Sequence, residues 1–183
     1  MVPHIKRRLK AIQSRGGKVV VIDPKKSETA AMSSEHHFIK PGTDALLMLA
    51  MIHTLFEKQL VSADVLLSFA PDLLMVEKYV VDYPAERVAK LIGMSEIQII
   101  GLVESFCKAG PAVCYGRMGA SVQAFGTLTQ YLIMLFNMLT GNLDRQGGMM
   151  FTQPAADFLP HSGRGSIANF HTRVRKLPAF AGE

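Results

Sequence analysis

The stretch "GGKVVVIDPKKSETA" (residues 16–30) decides the fold class. Residues 18–22 form a continuous apolar run rich in β-branched side chains, which is typical of a strand buried on both faces in a parallel sheet. The preceding residues 3–14 place apolar side chains at helical spacing, and Gly16 and Gly17 end that predicted helix. A helix, a glycine and a strand in this order form half of an α/β unit.

The rest of the chain continues the α/β pattern. We predict short strands at 36–40 and 111–116, one or two helical turns after Ser27, and helices over 43–60, 84–93, 95–110 and 127–141. Residues 61–83 give no defined prediction because Pro71 interrupts them. We therefore expect a three-layer αβα, Rossmann-like domain with a short parallel sheet over residues 1–148. An irregular, extended arm is predicted over 149–183.

Composition excludes several classes of protein. The 183 residues are 49% hydrophobic with a formal net charge of +5, as expected of a globular domain. Two cysteines are too few for an all-cysteine iron–sulfur cluster or a four-cysteine zinc site. Basic and aromatic residues do not interleave, so no nucleic-acid partner is predicted. The most apolar run (131–139) is too short to span a membrane, and the N-terminus lacks an apolar signal core, so no membrane contact and a cytoplasmic location are expected.

The first candidate ligand loop, "DPKKS" (23–27), directly follows the first predicted strand. In parallel sheets ligands bind past the carboxyl ends of the strands. The Asp23 carboxylate there can accept hydrogen bonds from ribose hydroxyls or from guanine N1 and N2, and Lys25 and Lys26 can bind a diphosphate. An ordinary Asp-Pro turn with solvated lysines is the competing interpretation, and the residues alone slightly favour it.

Two further loops are candidates. In "PGTD" (41–44), Gly42, Thr43 and Asp44 lie at the start of a predicted helix, where free N–H groups suit an anion or a base edge. Thr43 is more simply a helix cap, which leaves Asp44 available. In "GRMGASVQ" (116–123), Gly116 and Gly119 would let a ligand approach the backbone, although an ordinary turn explains them equally.

Taken in order, four blocks resemble one family. The blocks "GGKVVVIDPKKSETA", "HHFIKPGTDALLMLAMIHTLFEKQLV", "YGRMGASVQAFGT" and "LTGNLDRQGGMMF" closely resemble the molybdopterin oxidoreductases, covering residues 5 to about 152. The resemblance is to the bis-molybdopterin guanine dinucleotide group, which includes formate dehydrogenases, periplasmic-type nitrate reductases and the dimethyl sulfoxide reductase. It implies an internal segment of such an enzyme, namely the α/β domain that holds one guanine dinucleotide arm of the cofactor.

The resemblance also implies roles for residues. The family's "DPR" loop matches Asp23, Pro24 and Lys25, where lysine keeps the charge of the usual arginine but loses its planar fork. "PGTD" matches without change and assigns the guanine to Asp44, while the "GxMG" loop places Met118 next to the pterin. Gln123 is offset by one position from the family's glutamine and receives less weight. The predicted cofactor contacts are Asp23, Pro24, Lys25, Lys26, Ser27, Gly42, Thr43, Asp44, Met118 and Gly119.

The implied function is cofactor binding within a larger molybdenum-dependent oxidoreductase. No catalytic residue or metal ligand is predicted in this segment, and the molybdenum ligand and an iron–sulfur cluster are expected outside it. The expected partner is the rest of the oxidoreductase chain, and the isolated segment is expected to be inactive. A periplasmic parent would carry its signal outside this segment. Self-association through an open sheet edge or exposed core is also predicted. A non-catalytic guanine-nucleotide-binding module and a structural or interaction domain with a vestigial site remain as alternatives.

Overall fold

The described part of the chain consists of two strands and eight helices. The computed structural model describes residues 4–151, with the side chains of residues 68–72 excepted. The strands are β1 (Val20–Ile22) and β2 (Glu35–His37). The helices are α1 (Ile5–Ser14), α2 (Glu28–Met32), α3 (Asp44–Glu57), α4 (Ala63–Val80), α5 (Ala85–Ile92), α6 (Glu96–Lys108), α7 (Met118–Ser121) and α8 (Gly126–Leu139). The α/β class with a short parallel sheet is therefore confirmed.

The sheet is a parallel pair joined by a short crossover. β1 and β2 pair with Val20 opposite Glu35 and Ile22 opposite His37. Parallel strands need a crossover of about a dozen residues, and here residues 23–34, including α2, provide it. β1 is half-buried and not fully buried as predicted, and within the described residues only one of its two edges has a neighbouring strand.

Helix α3 is the centre of the core. It packs against α4, α5, α6 and α8, and eight of its 14 residues are buried. A helix that is apolar on most of its surface is stable only when neighbours cover it. Asp44, the first residue of α3, is thereby fixed at a rigid point of the domain.

Local sequence signals set several helix ends as predicted. Ser95 and Gln98 form a capping box at the start of α6. Gly93 follows α5 with a φ of 80°, a conformation that glycine adopts without strain. Helix α4 departs from the prediction because it runs through Pro71 without a break. The loss of one backbone hydrogen bond at a proline is compatible with a helix that packs against α3.

The prediction of a buried strand at 111–116 is wrong. Within residues 4–151 this segment pairs with no strand, and its residues alternate between exposed and half-buried. Buried amide side chains replace the missing neighbour: the N–H of Ala112 donates to Asn142 Oδ1 (3.1 Å), and the N–H of Cys114 donates to Asn137 Oδ1 (2.9 Å). Asn137 Nδ2 donates in return to the carbonyl oxygen of Cys114 (2.9 Å). The segment is therefore held by one side chain of α8 and one side chain of the turn that follows α8.

Two further predictions concern the domain boundary and contact with a membrane. The described residues up to Met150 form one unit, and apart from residues 149–151 the predicted C-terminal arm lies outside the described residues. Among the residues that the structure describes, no helix is both long and apolar enough to cross a membrane.

Candidate functional site

Two of the candidate loops leave the sheet at the same end. Because Ile22 lies opposite His37, Asp23 and Phe38 are the first residues past the carboxyl ends of β1 and β2. The N–H of Asp23 still donates to the carbonyl oxygen of His37 (3.1 Å). His36 Nε2 lies 3.0 Å from the carbonyl oxygen of Asp23, which ties the two ends together. The "DPKKS" loop and the connection to α3 therefore start side by side.

The "DPKKS" loop adopts the local structure of a turn followed by a helix cap. Asp23 Oδ1 accepts a hydrogen bond from the N–H of Lys25 (2.8 Å), and Ser27 Oγ accepts one from the N–H of Ala30 (3.3 Å) at the start of α2. Lys25 and Lys26 are exposed, and neither forms an ion pair with any described residue. The turn leaves Asp23 Oδ2 and both ammonium groups open to a ligand.

In the "PGTD" loop, no side chain caps the start of α3. Gly42 has a φ of +81°, a conformation that favours glycine. Thr43 occupies the N-cap position as predicted, but its hydroxyl donates to the carbonyl oxygen of Lys40 (2.7 Å) and caps no helix N–H. Asp44 is half-buried. The first-turn N–H groups of α3 therefore keep no side-chain partner among the described residues.

Gln123 joins the "PGTD" loop to the "GRMG" loop. Its Nε2 donates to Asp44 Oδ2 (2.9 Å) and to the carbonyl oxygen of Gly119 (2.7 Å). Its Oε1 is buried without a hydrogen-bond partner among residues 4–151. A Cβ atom added to Gly42 would lie 4.0 Å from that oxygen. Gln123 therefore brings Asp44, Gly42 and Gly119 together, although the family pattern gives this residue little weight.

The glycines of the "GRMG" loop differ in their surroundings. A Cβ added to Gly116 would lie 2.5 Å from Ile133 Cδ1, so the end of the buried Ile133 side chain on α8 would have to shift. A Cβ added to Gly119 would meet no atom within 4 Å. Met118 beside it is 68% exposed. The backbone around Gly119 is therefore open to the approach of a flat ligand.

The structure does not join the first candidate loop directly to the other two loops. No hydrogen bond or ion pair within the described ranges joins residues 23–27 to 42–44 or to 118–123. Two cavities, of about 170 and 250 Å³, lie instead between α4 and α8 and between α3 and α4. Neither cavity is lined by a predicted cofactor contact.

Titratable groups near the site do not form a metal centre. In the part of the chain that the structure describes, no group of three or more His, Cys, Asp or Glu side chains is arranged to hold a metal ion. Burial raises the pKa of Cys114 to about 12, so its thiol stays protonated at neutral pH. His37 is buried, with Nε2 2.7 Å from Glu35 Oε1.

Comparison with known proteins identifies the family. The family described as molybdopterin oxidoreductase matches residues 2–176. The chain therefore belongs to the molybdopterin oxidoreductase family.

Three relatives show how much of such a protein the chain represents. It is 26% identical to a formate dehydrogenase alpha subunit of Methanocaldococcus jannaschii, covering 79% of this chain and 22% of the relative. It is 29% identical to the molybdopterin-containing subunit of the arsenate respiratory reductase of Chrysiogenes arsenatis, covering 81% of this chain and 20% of the relative. It is 30% identical to formate dehydrogenase H of Escherichia coli, covering 71% of this chain and 18% of the relative. The chain thus spans about a fifth of the length of these relatives.

A solved structure shares the fold. Acetylene hydratase from Pelobacter acetylenicus superposes with a TM-score of 0.69 over 74% of this chain and 19% of that one. Sequence identity is 24%, so this likeness supports the fold alone.

Proposed function

We propose that the chain is the part of a molybdenum-dependent oxidoreductase that binds the guanine dinucleotide arm of the molybdopterin cofactor. The observation that carries the proposal is the bridge from Asp44 through Gln123 to Gly119, which joins the two loops assigned to guanine and pterin. When bound, the cofactor supplies two-electron or oxygen-atom-transfer chemistry at molybdenum. The residues of this chain bind it and fix its orientation.

Asp44 is the residue proposed to bind the guanine base. A carboxylate accepts hydrogen bonds at both oxygens, and each oxygen has two lone pairs. Gln123 takes one acceptor position on Oδ2, which leaves Oδ1 and the second position on Oδ2 for the donors at guanine N1 and N2. The amide also fixes the rotamer of the carboxylate, so less side-chain freedom is lost on binding. Gly42 and Thr43 support this loop from the preceding turn.

The "DPKKS" loop is proposed to hold the ribose and the diphosphate. Asp23 Oδ2 is available for a ribose hydroxyl, and Lys25 and Lys26 offer two exposed positive charges. The Ser27 hydroxyl accepts from Ala30, and its own proton remains available to a phosphate oxygen. Pro24 fixes the turn that places these groups. These contacts are expected to weaken with salt, as lysine–phosphate contacts at a surface do.

The pterin side is proposed to lie over Met118 and Gly119, where the backbone is open and the thioether is exposed. The rest of such an enzyme, including the molybdenum ligand and an iron–sulfur cluster, is proposed to lie outside this chain, which spans about a fifth of its relatives. The chain alone is therefore expected to show no reductase or dehydrogenase turnover. Turnover by the purified chain without added subunits would contradict this.

The guanine assignment is tested by calorimetric titration of the chain with GDP, ADP and xanthosine diphosphate. The wild type is expected to prefer GDP. Asp44→Asn replaces one acceptor by a donor, and the carbonyl group at C2 of xanthine accepts where guanine donates. The variant should therefore lose GDP affinity by roughly tenfold to a hundredfold and gain affinity for xanthosine diphosphate.

Asp64→Asn is the matched control, because Asp64 lies in the first turn of α4 just as Asp44 does in α3. It should change neither affinity. If Asp44→Asn leaves GDP binding unchanged, the site is vestigial and the assignment fails. If the complete guanine dinucleotide cofactor binds no more tightly than GDP, the protein is better described as a guanine-nucleotide module without a pterin site.

A further inference from the structure

The imidazole of His36 lies beside the first residue of the "DPKKS" loop, although His36 is not one of the predicted cofactor contacts. His36 is opposite Val21 in the strand pair, one residue before the carboxyl end of β2. Its ring reaches past that end, because Nε2 lies 3.0 Å from the carbonyl oxygen of Asp23. The ring also packs edge-to-face against Phe38, with 4.4 Å between the ring centroids. His36 is therefore held in place at the start of the loop.

The contact with Asp23 determines which ring nitrogen of His36 carries the hydrogen. A carbonyl oxygen only accepts hydrogen bonds, so Nε2 is the donor in the neutral ring. Nδ1 is then the basic nitrogen, and it forms no hydrogen bond with any residue from 4 to 151. Unlike Nδ1 of His37 and of His53, it is not enclosed by the protein. A proton added to the ring would therefore bind at Nδ1, where a ligand can reach it.

We propose that the Nδ1–H of protonated His36 donates to the diphosphate of the cofactor, and that binding of the diphosphate draws this proton onto the ring. The inference rests on the proposed function, which assigns the diphosphate to Lys25 and Lys26. These lysines lie two and three positions after Asp23, and neither forms an ion pair with a described residue. A diphosphate diester carries two negative charges, and negative charge close to an imidazole favours its protonated form.

Few other charged groups face His36. Its strand β2 packs against β1 and α2. The ion pairs on and beside these elements join Lys18 to Glu35 and Lys6 to Glu28. His37 is the next residue along the strand and points to the opposite face, where it contacts Glu35. Of the described groups, the Asp23 carboxylate and the two lysines of the turn remain, so the charge of His36 should respond chiefly to the ligand.

Binding and protonation would then strengthen each other. If a proton on His36 favours the diphosphate, the diphosphate favours that proton by the same factor. Of the side-chain types at the site, only histidine ordinarily changes charge near neutral pH. The affinity for a diphosphate should therefore rise as the pH falls across that range.

The proposal is tested by calorimetric titration of the chain with GDP-mannose between about pH 6 and about pH 8. The diphosphate of this probe is a diester, whereas a terminal phosphate such as that of GDP itself titrates at about pH 6. The wild type should bind several-fold more tightly at the lower pH. It should also take up part of a proton on binding, which titrations in buffers of different ionisation enthalpy measure. Guanosine, which lacks the diphosphate, should show neither effect.

The decisive variant is His36→Gln, because its amide keeps an N–H for the Asp23 carbonyl oxygen but cannot be protonated. It should bind GDP-mannose as the wild type does at the higher pH. At the lower pH it should bind several-fold more weakly than the wild type, without proton uptake. A residue that only supports the loop would change the affinity equally at both pH values. His4→Gln is the control, since His4 is exposed beside α1, and it should keep the slope of the wild type.

Three outcomes would overturn the proposal. They are a wild-type affinity that does not depend on pH, an unchanged slope and proton uptake in His36→Gln, and an equal loss of affinity at both pH values in that variant. Circular dichroism checks that the variant is folded, and the wild-type measurements decide the matter if it is not. A chain that binds neither guanosine nor GDP-mannose would contradict the proposed function, and this inference with it.

Discussion

Gln123 and Asp44 lie 79 positions apart in sequence, yet the Gln123 amide donates to the Asp44 carboxylate over 2.9 Å. The same nitrogen donates to the carbonyl oxygen of Gly119, so one side chain holds the carboxylate and the glycine loop in a fixed relation. The amide oxygen has no partner among the described residues. Such an atom at a proposed binding site is a candidate acceptor for a ligand N–H group.

We therefore expect Gln123→Ala to weaken GDP binding to the chain. The variant loses a hydrogen bond to a charged group, so the carboxylate is no longer held in one rotamer. The expected loss is roughly tenfold, or about 1.4 kcal/mol. Isothermal titration calorimetry measures it, and thermal unfolding separates it from a loss of stability.

Gln130→Ala is the matched control, because the Gln130 amide anchors the same loop by donating to Ser121 Oγ (2.9 Å) without contacting Asp44. This variant should keep GDP affinity close to that of the wild type. Equal losses in the two variants would mean that Gln123 acts only by supporting the loop.

Two glycines of one loop should respond differently to alanine. At Gly116 the added methyl group would lie 2.5 Å from Ile133 Cδ1 and 3.0 Å from Gln130 Nε2. Gly116→Ala should therefore destabilise the protein by about 1–3 kcal/mol. Gly119→Ala should leave stability nearly unchanged because nothing lies within 4 Å of its added carbon. Urea unfolding of both variants measures the difference, and a comparable loss at Gly119 would contradict the open surface described there.

Most of the fold could be predicted from local signals. The β-branched run before Asp23 predicts β1, and Ser95 as an N-cap predicts the start of α6. The "PGTD" motif places Asp44 at the start of α3, where the structure has it. These features depend on residues within one or two turns of each other, so the chain alone specifies them.

The features that the sequence analysis missed depend on distant partners. The 111–116 run has the composition of a strand, but a strand requires a neighbouring strand, and the amides of Asn137 and Asn142 take that place here. Gln123 was given little weight because its register differs by one position from the family pattern. Its contact with Asp44 depends on how α3 and the following loop pack. Periodicity and spacing carry no information about such contacts.

Asn137 should be important for stability although it is not among the proposed ligand contacts. It is fully buried, and it satisfies both backbone groups of Cys114. Asn137→Leu would leave these two groups unpaired, at a cost of about 1–3 kcal/mol for each. Urea unfolding measures the loss. Alkylation of Cys114 should be faster in the variant, because its buried thiol is protonated and shielded in the wild type.

Asn137→Asp is the companion variant. It keeps an acceptor for the N–H of Cys114 but loses the Nδ2 donor to the carbonyl oxygen, and it buries a carboxylate. It should therefore also destabilise the protein. Unchanged stability in both variants would contradict the role assigned to the Asn137 amide.

The protein should lose stability in acid because Glu35 becomes protonated. A hydrogen bond from the Lys18 ammonium group holds the pKa of Glu35 below its ordinary value of 4.5, burial opposes this, and the His37 hydrogen bond adds to it. A carboxyl whose pKa is lowered on folding stabilises the protein above its unfolded pKa, and that contribution is lost as pH falls through the folded pKa. The free energy of unfolding of the wild type should therefore decrease as the pH drops below 4.5.

Glu35→Gln removes the titrating group and should flatten this part of the pH profile while lowering stability at neutral pH. Glu57→Gln is the control, because Glu57 is exposed and forms no ion pair with any residue from 4 to 151. It should retain the acid slope of the wild type. Urea unfolding at a series of pH values from about 3 to 7 gives each profile. An unchanged slope in Glu35→Gln would show that other carboxyl groups cause the loss of stability in acid.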